Sequence, residues 1–132
     1  MSVMQISRRV DYALRAVLYL RAHREAPVSI AEISEDQSVP RKFLEKIVVD
    51  LARAGVVRSK RGAGGGYTLG RGAEDISFRE IIEAVDGPIR LNVCVGEQKD
   101  CALTATCGML PVWEEGQRRV LDLFEQTTLA DI

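Results

Sequence analysis

The residues best equipped for chemistry are three cysteines, Cys94, Cys101 and Cys107, the only cysteines in a chain of 132 residues. Six residues separate the first pair and five the second. The stretch Gly96-Glu-Gln-Lys-Asp100 between the first two is polar and flexible, so a loop, not a helix, presents the thiols. An odd count in a chain without a secretion signal argues against a disulfide framework. A thiolate-rich loop is instead what zinc or an iron–sulfur cluster needs. Three thiolates leave one ligand to be found, and the single histidine, His23, stands far away near the end of the first helix. A Cys/His nucleophilic pair would also have to use His23, and nothing in the sequence orients it, so no enzyme is expected. Spacing points to a metal site without choosing the metal. A reversible disulfide switch is the other use of such thiols.

The elements that must position this loop follow from hydrophobic period and stop signals. Val10, Leu14, Val17 and Leu18, with Ala13 and Leu20, fall at helical spacing from Arg8 to Arg24, and Pro27 ends the run. Ser29-Ile-Ala-Glu32 predicts a capping box opening a second helix to about Asp36. Pro40 opens a third helix, with Leu44, Ile47, Val48 and Leu51 as its buried stripe and Gly55 as its stop. Its other face carries Arg41, Lys42, Glu45, Lys46 and Arg53. Two short helices joined by a tight turn, the second basic outside, make a helix-turn-helix pattern. Val56–Arg61 and Gly66–Leu69 then read as two strands around Gly62-Ala-Gly-Gly65, a basic, glycine-rich hairpin where a wing would stand.

Those glycines suit a tight hairpin whose bare amides approach phosphates. A nucleotide cradle is not expected, because Gly-Lys-Ser/Thr is missing and Tyr67 interrupts any GxGxxG. Further on, Ser77-Phe-Arg-Glu80 predicts a second capping box, and Phe78, Ile81, Ile82 and Val85 form a stripe that stops at Gly87-Pro88. Residues 89–108 lack a period. Leu110 to Thr127 reads as a final helix ~27 Å long. Its apolar residues Val112, Trp113, Val120, Leu121, Leu123 and Phe124 have no obvious partner in so short a chain, which suggests pairing with a second copy.

Charge divides the chain. Residues 1–71 hold thirteen Lys and Arg against seven acids, a net +6, and residues 72–132 hold five against twelve, a net −7. The formal total of −1 thus averages a basic half that suits a polyanion and an acidic half that does not. At 46% hydrophobic and 28% charged residues, wholesale disorder is excluded. No apolar run approaches the ~20 residues of a membrane span. No secretory signal is read at the start, so a cytoplasmic protein without membrane contact is expected.

Taken together, several stretches resemble the Rrf-two family of bacterial winged-helix transcription regulators, which includes IscR-like, NsrR-like and RirA-like proteins. They are Ser7-Arg-Arg-Val-Asp-Tyr-Ala-Leu-Arg15, Ile30-Ala-Glu-Ile33, Pro40-Arg-Lys-Phe-Leu-Glu-Lys-Ile47 and Leu51-Ala-Arg-Ala-Gly55. The wing Arg58-Ser-Lys-Arg-Gly-Ala-Gly-Gly-Gly-Tyr67 is the most specific; the cysteine loop, Pro111-Val-Trp113 and Thr127-Thr-Leu-Ala-Asp131 complete the set. Members usually start at the position of Met4, so residues 1–3 look like a short extension or an alternative start.

The resemblance implies a mostly α fold with a small β-hairpin wing and a long C-terminal dimerisation helix, assembled as a homodimer on a palindromic double-stranded DNA operator. The expected organisation is a winged helix-turn-helix head over 1–75. A linker helix, the cysteine loop at about 91–108 and the dimerisation helix would then occupy 76–132. In the family a glutamate at the position of Glu45 reads a base, as a carboxylate accepting from cytosine N4 would. An arginine at the position of Arg61 probes the minor groove. Charge and placement add Arg41, Lys42, Lys46, Arg58 and Lys60, with the amides of Gly64 and Gly65, as DNA contacts.

By the same resemblance Cys94, Cys101 and Cys107 fall on ligands of an iron–sulfur cluster, 4Fe–4S or 2Fe–2S. Some members complete it with a histidine three residues after the last cysteine, where this chain has Leu110. Others use an aspartate from the first helix of the partner subunit, and Asp11 stands there. The function expected is a repressor whose cluster senses redox state, nitric oxide or iron supply. The alternatives are the same regulator with structural zinc or a thiol–disulfide switch, and a redox or cluster-carrier protein that does not bind DNA.

Overall fold

The computed structural model describes residues 5–96, 101–103 and 105–132. Its first helix, α1, spans Arg8–Ala22. The Ser7 hydroxyl caps it by accepting from the Val10 amide at 3.3 Å, which satisfies one of the orphan donors of the first turn. The buried side is Val10, Ala13, Ala16, Val17, Tyr19 and Leu20. The small residues thus sit innermost, while Leu14 and Leu18, expected in the stripe, pack only partly against the core.

Helices α2 (Ile30–Gln37) and α3 (Arg41–Arg53) follow. Their turn passes through Ser38 in the left-handed region at φ 55°, the only non-glycine residue with positive φ among those described. Ser34 locks that turn: its carbonyl accepts from the Val39 amide at 3.1 Å and its hydroxyl donates to the Val39 carbonyl at 2.6 Å. Val39 is buried, so the turn is pinned from inside. Pro40 is the cap of α3 and not its first residue, and its carbonyl takes the first helical bond, from Leu44. The stop at Gly55 forms as expected. Gly55 has φ 78°, its amide reaches Ala52 O at 3.0 Å, and the Val56 amide reaches Leu51 O at 2.9 Å. This is a Schellman motif, with Leu51 and Val56 both buried.

Strands β1 (Val57–Lys60) and β2 (Gly66–Leu69) pair antiparallel, with Val57 opposite Leu69 and Lys60 opposite Gly66. The hairpin does not stand alone. Val28, in the α1–α2 linker, exchanges both backbone hydrogen bonds with Tyr67, at 2.9 and 2.8 Å. That close approach requires glycine at 66, where an added Cβ would sit 2.6 Å from the Val28 carbonyl oxygen.

Helix α4 (Phe78–Asp86) packs on α1 and α3, and α5 (Leu110–Gln126) packs on α4, with Phe78 and Phe124 ring centroids 5.0 Å apart. The chain then returns. The Phe78 amide donates to Thr127 O at 2.8 Å and the Leu129 amide to Ile76 O at 3.0 Å, forming a bridge between Ser77 and Thr128. Leu129 is fully buried in one core with Val10, Val17, Ile33, Leu44, Leu51 and Ile81. The core therefore extends past residue 75 to include Ile76, α4 and the C-terminal turn.

The two expected capping boxes form by half. Ser29 and Ser77 accept from the Glu32 and Glu80 amides at 3.1 and 3.0 Å, but the glutamates turn elsewhere. Glu32 accepts from the Tyr19 hydroxyl at 2.7 Å, which ties α2 to α1, and Glu80 pairs with Arg71. A complete box instead closes the C-terminal turn, between Thr128 and Asp131.

Two outcomes follow for stability. Gly66→Ala forces a methyl group onto a backbone carbonyl and should cost about 2 kcal/mol or more, read by denaturant unfolding. The hydrogen bond to Glu32 and burial push the Tyr19 phenol up to about 12. The protonated phenol is the form the fold favours. This stabilisation is therefore complete below pH ~10, the unfolded value, and is lost as pH rises toward 12. Tyr19→Phe should lower stability at neutral pH in denaturant unfolding and remove that alkaline loss.

Candidate nucleic-acid interface and cysteine segment

Helix α3 buries Leu44, Ile47, Val48 and Leu51 and turns Arg41, Lys42, Glu45 and Lys46 to solvent. The period of 3.6 does this unaided: the residues between core positions land on the opposite side. Arg58, Lys60, Arg61 and Gly64 are exposed along the hairpin, and Gly65 is half-buried at its tip. Gly62 and Gly64 have φ of 95° and 73°, a conformation that keeps the tip tight.

Pairing separates the cations by location. Arg8, Arg21, Arg24, Arg41, Lys42, Lys46, Lys60 and Arg61 make no ion pair or side-chain hydrogen bond among the described residues, and all lie before residue 62. Arg58 touches only the Gly70 carbonyl, at 3.4 Å. Other cations of the head are structural. Arg9 reaches from α1 to Asp50 of α3 at 2.8 Å, and Arg53 lies 3.6 Å from the same carboxylate. Arg71 donates to Gly55 O, Asp75 O and Glu80, linking the end of α3 to α4.

Beyond residue 75, every described cation is engaged. Arg79 pairs with Glu83 and Glu125, and the Glu83 hydrogen bond raises its pKa. Arg118 and Arg119 converge on Glu115 and hold its carboxyl below its ordinary value. The charge split read along the chain thus becomes a split between unmet and met charge.

Cys94 is buried, at 7% exposure, while Cys101 and Cys107 are half-exposed. Residues 97–100 and 104, inside the expected loop, lie outside the described residues. The turn around Cys94 is built on Arg90, whose guanidinium donates to Val93 O at 2.8 Å and Val95 O at 3.1 Å. Gln117 of α5, the only buried polar residue described, fastens the approach to that turn. It accepts from the Leu91 amide at 2.9 Å and donates to Ile89 O at 2.6 Å. Sequence reasoning missed both residues, because an Arg in a loop and a Gln in an amphipathic helix read as solvated.

In kind, three thiols on one segment fit a soft metal or an iron–sulfur cluster. In arrangement they are not assembled: among the described residues no three Cys, His, Asp or Glu side chains gather to hold a metal ion. Asp11 is exposed on α1 and pairs with Arg15 at 3.1 Å. Leu110 opens α5. His23 stacks on Tyr19 at a ring distance of 4.0 Å and places Nδ1 2.9 Å from the Tyr19 carbonyl, which makes that nitrogen the donor.

The apolar seam of α5 is only partly used. Phe124 meets α4, whereas Met109, Val112 and Leu123 are 63%, 73% and 61% exposed around it. No described helix is long and apolar enough to cross a membrane.

Comparison with known proteins agrees with this layout. Residues 6–132 match the Rrf2 family model, described as an iron-dependent transcriptional regulator. An rrf2-like HTH-type transcriptional regulator of Rhodobacter capsulatus is 37% identical over 96% of this chain and 91% of its own length. Among solved structures, the IscR of T. potens is 32% identical with a TM-score of 0.75, covering 97% of this chain and 85% of that one. The oxidized form of Staphylococcus aureus CymR is 29% identical with a TM-score of 0.74, covering 97% and 94%. Fold, basic face and relatives therefore agree on a regulator and not an enzyme: the chain belongs to the Rrf2 family of transcriptional regulators.

Proposed function

We propose that this chain is a cytoplasmic repressor that binds a palindromic operator as a homodimer, with α3 in the major groove and the β1–β2 wing in the minor groove. The observation that carries this reading is the set of exposed cations on α3 and the wing that have no ion pair among the described residues. Arg41, Lys42 and Lys46 line the outward face of α3, and Lys60 and Arg61 the wing, with no carboxylate engaging them. Glu45, between Lys42 and Lys46, is the acceptor suited to cytosine N4. Arg58 and the amides of Gly64 and Gly65 complete the backbone contacts.

Dimerisation through α5 is supported by its exposed Val112 and Leu123. It is also supported by an open groove of about 570 Å³ beside the helix, lined by Ile6, Ile82, Ile89, Val120 and Phe124. Surface of this kind is what a second copy would cover. Residues 1–75 then serve as the reading head and 76–132 as the sensing and pairing part.

For the sensor, the favoured reading is an iron–sulfur cluster held by Cys94, Cys101 and Cys107, supported by donor chemistry and by the likeness to IscR. A bound cluster would supply redox or ligand sensitivity. Asp11, from across the dimer, is the fourth-ligand candidate and would have to leave Arg15. What this chain's own residues contribute is a firm seat for Cys94, through Arg90 and Gln117. They also contribute a mechanical route, because any rearrangement of 91–108 pulls on α5 and its bridge to the start of α4. The second reading is a thiol switch. It is favoured by the absence of a gathered ligand set among the described residues and by the oxidized form of the CymR relative.

Two measurements test these readings. Arg61→Ala and Lys42→Ala should each weaken operator binding about tenfold and reduce the salt dependence of log K by about one. Arg119→Ala, on the paired half, should leave that slope unchanged. Chain purified without oxygen should be brown, with iron and sulfide in comparable amounts, and Cys101→Ala should be bleached. Colourless chain with about one zinc would favour structural zinc, and metal-free chain with a reversible disulfide would establish the thiol switch.

A further inference from the structure

Between Arg8 and Asp86 two large apolar side chains stand half exposed, and both are on α3: Phe43 at 50% and Val49 at 52%. The other large apolar residues of that helix, Leu44, Ile47, Val48 and Leu51, are at most 1% exposed. Phe43 has a partner, because it lies on the flank facing α1 with the Tyr12 ring edge-on at 6.0 Å. Val49 neither belongs to the core nor is packed against it.

Its place on the helix gives it meaning. Lys42, Glu45, Lys46 and Val49 are spaced i, i+3, i+4 and i+7, which puts them in one row along the outward face. A single exposed apolar residue is ordinary on a protein surface. This one ends a row whose other three members are exposed polar groups that the proposed function turns toward DNA. A β-branched residue there serves neither helix propensity nor burial in the free chain. In the major groove, hydrogen-bonding edges account for every base feature but one. The exception is the thymine C5-methyl, which is read by apolar contact.

We infer that Val49 is a specificity-determining residue that packs against a thymine methyl in each operator half-site. Four residues at 1.5 Å separate it from Glu45 along the helix, ~6 Å, which places that thymine about two base pairs from the position Glu45 meets. The inference rests on α3 entering the major groove and adds to that reading the base chemistry the operator must offer.

The test uses the full chain and duplexes it selects from a random-sequence pool. Each thymine of a selected site is replaced singly by deoxyuridine, which removes only the methyl. The expected result is one symmetric thymine position at which the replacement weakens binding about three- to tenfold. Val49→Ser should bind thymine and deoxyuridine duplexes equally at that position and keep any penalty found elsewhere, a signature that general loss of structure would not produce. Val49→Ile should retain the discrimination. Selected duplexes with no position whose penalty disappears in Val49→Ser would overturn the inference and leave the DNA-binding reading standing. A chain that selects no duplex at all would overturn both.

Discussion

The two backbone hydrogen bonds between Ile76–Phe78 and Thr127–Leu129 are the constraint on which the rest of the molecule turns. They close residues 78–127 into an excursion that leaves and re-enters the head at one point. Leu129 fixes the closure by filling the same core as Leu44 and Leu51 of α3. A shift of α5 along its axis would load this bridge, because Thr127 directly follows the helix. Two residues upstream of α4 the load meets Ile76, and through Arg71 and Glu80 it meets the end of α3. A packed core has discrete arrangements more readily than graded ones, so a rearrangement delivered here would act on the one core that α1, α3 and α4 share.

Within the excursion, order is uneven. Gln117 and Arg90 hold the stretch from Ile89 to Val95 by four hydrogen bonds to main-chain groups, so Cys94 sits in a framed turn. Cys101 and Cys107 stand more open to solvent. A seated thiol on the same segment as more accessible ones suits both proposed uses of the cysteines: a fixed corner of a ligand set, or a protected member of a redox pair.

Much of this was legible in the sequence where the signal is local and repeated. The stripe of α3, the glycine stop at Gly55 and the hairpin strands rest on period and turn chemistry; the first two and β2 form where expected, and β1 is one residue shorter at each end. Pairings over distance left no such trace. Glu32 and Glu80 satisfy a local capping pattern, yet each is claimed by a partner the pattern cannot see, Tyr19 in one case and Arg71 in the other. Leu129 is a lone apolar residue in a polar tail, with no neighbours to make a period, and its burial emerges only when the tail meets Ile76. Val28 pairs with Tyr67 across thirty-nine positions, through backbone atoms that carry no residue signature. For the site, residue type and spacing marked the cationic face and the three thiols. The seat of Cys94 depends on Arg90 and Gln117, whose side chains make main-chain bonds that composition does not reveal.

The unmet cations of the head also bear on how long the molecule lasts. Eight cations up to Arg61 are engaged by no carboxylate among the described residues, and where like charges lie near one another they lower the stability of the free fold. A bound phosphate backbone supplies what is missing and stabilises the native state by mass action, about 2.7 kcal/mol at a hundred times Kd. Occupancy of DNA and survival against proteolysis are then two readings of one equilibrium: the molecule at its site opens less often than the molecule in solution. Through its charge pattern, a regulator of this kind is preferentially preserved where it is in use.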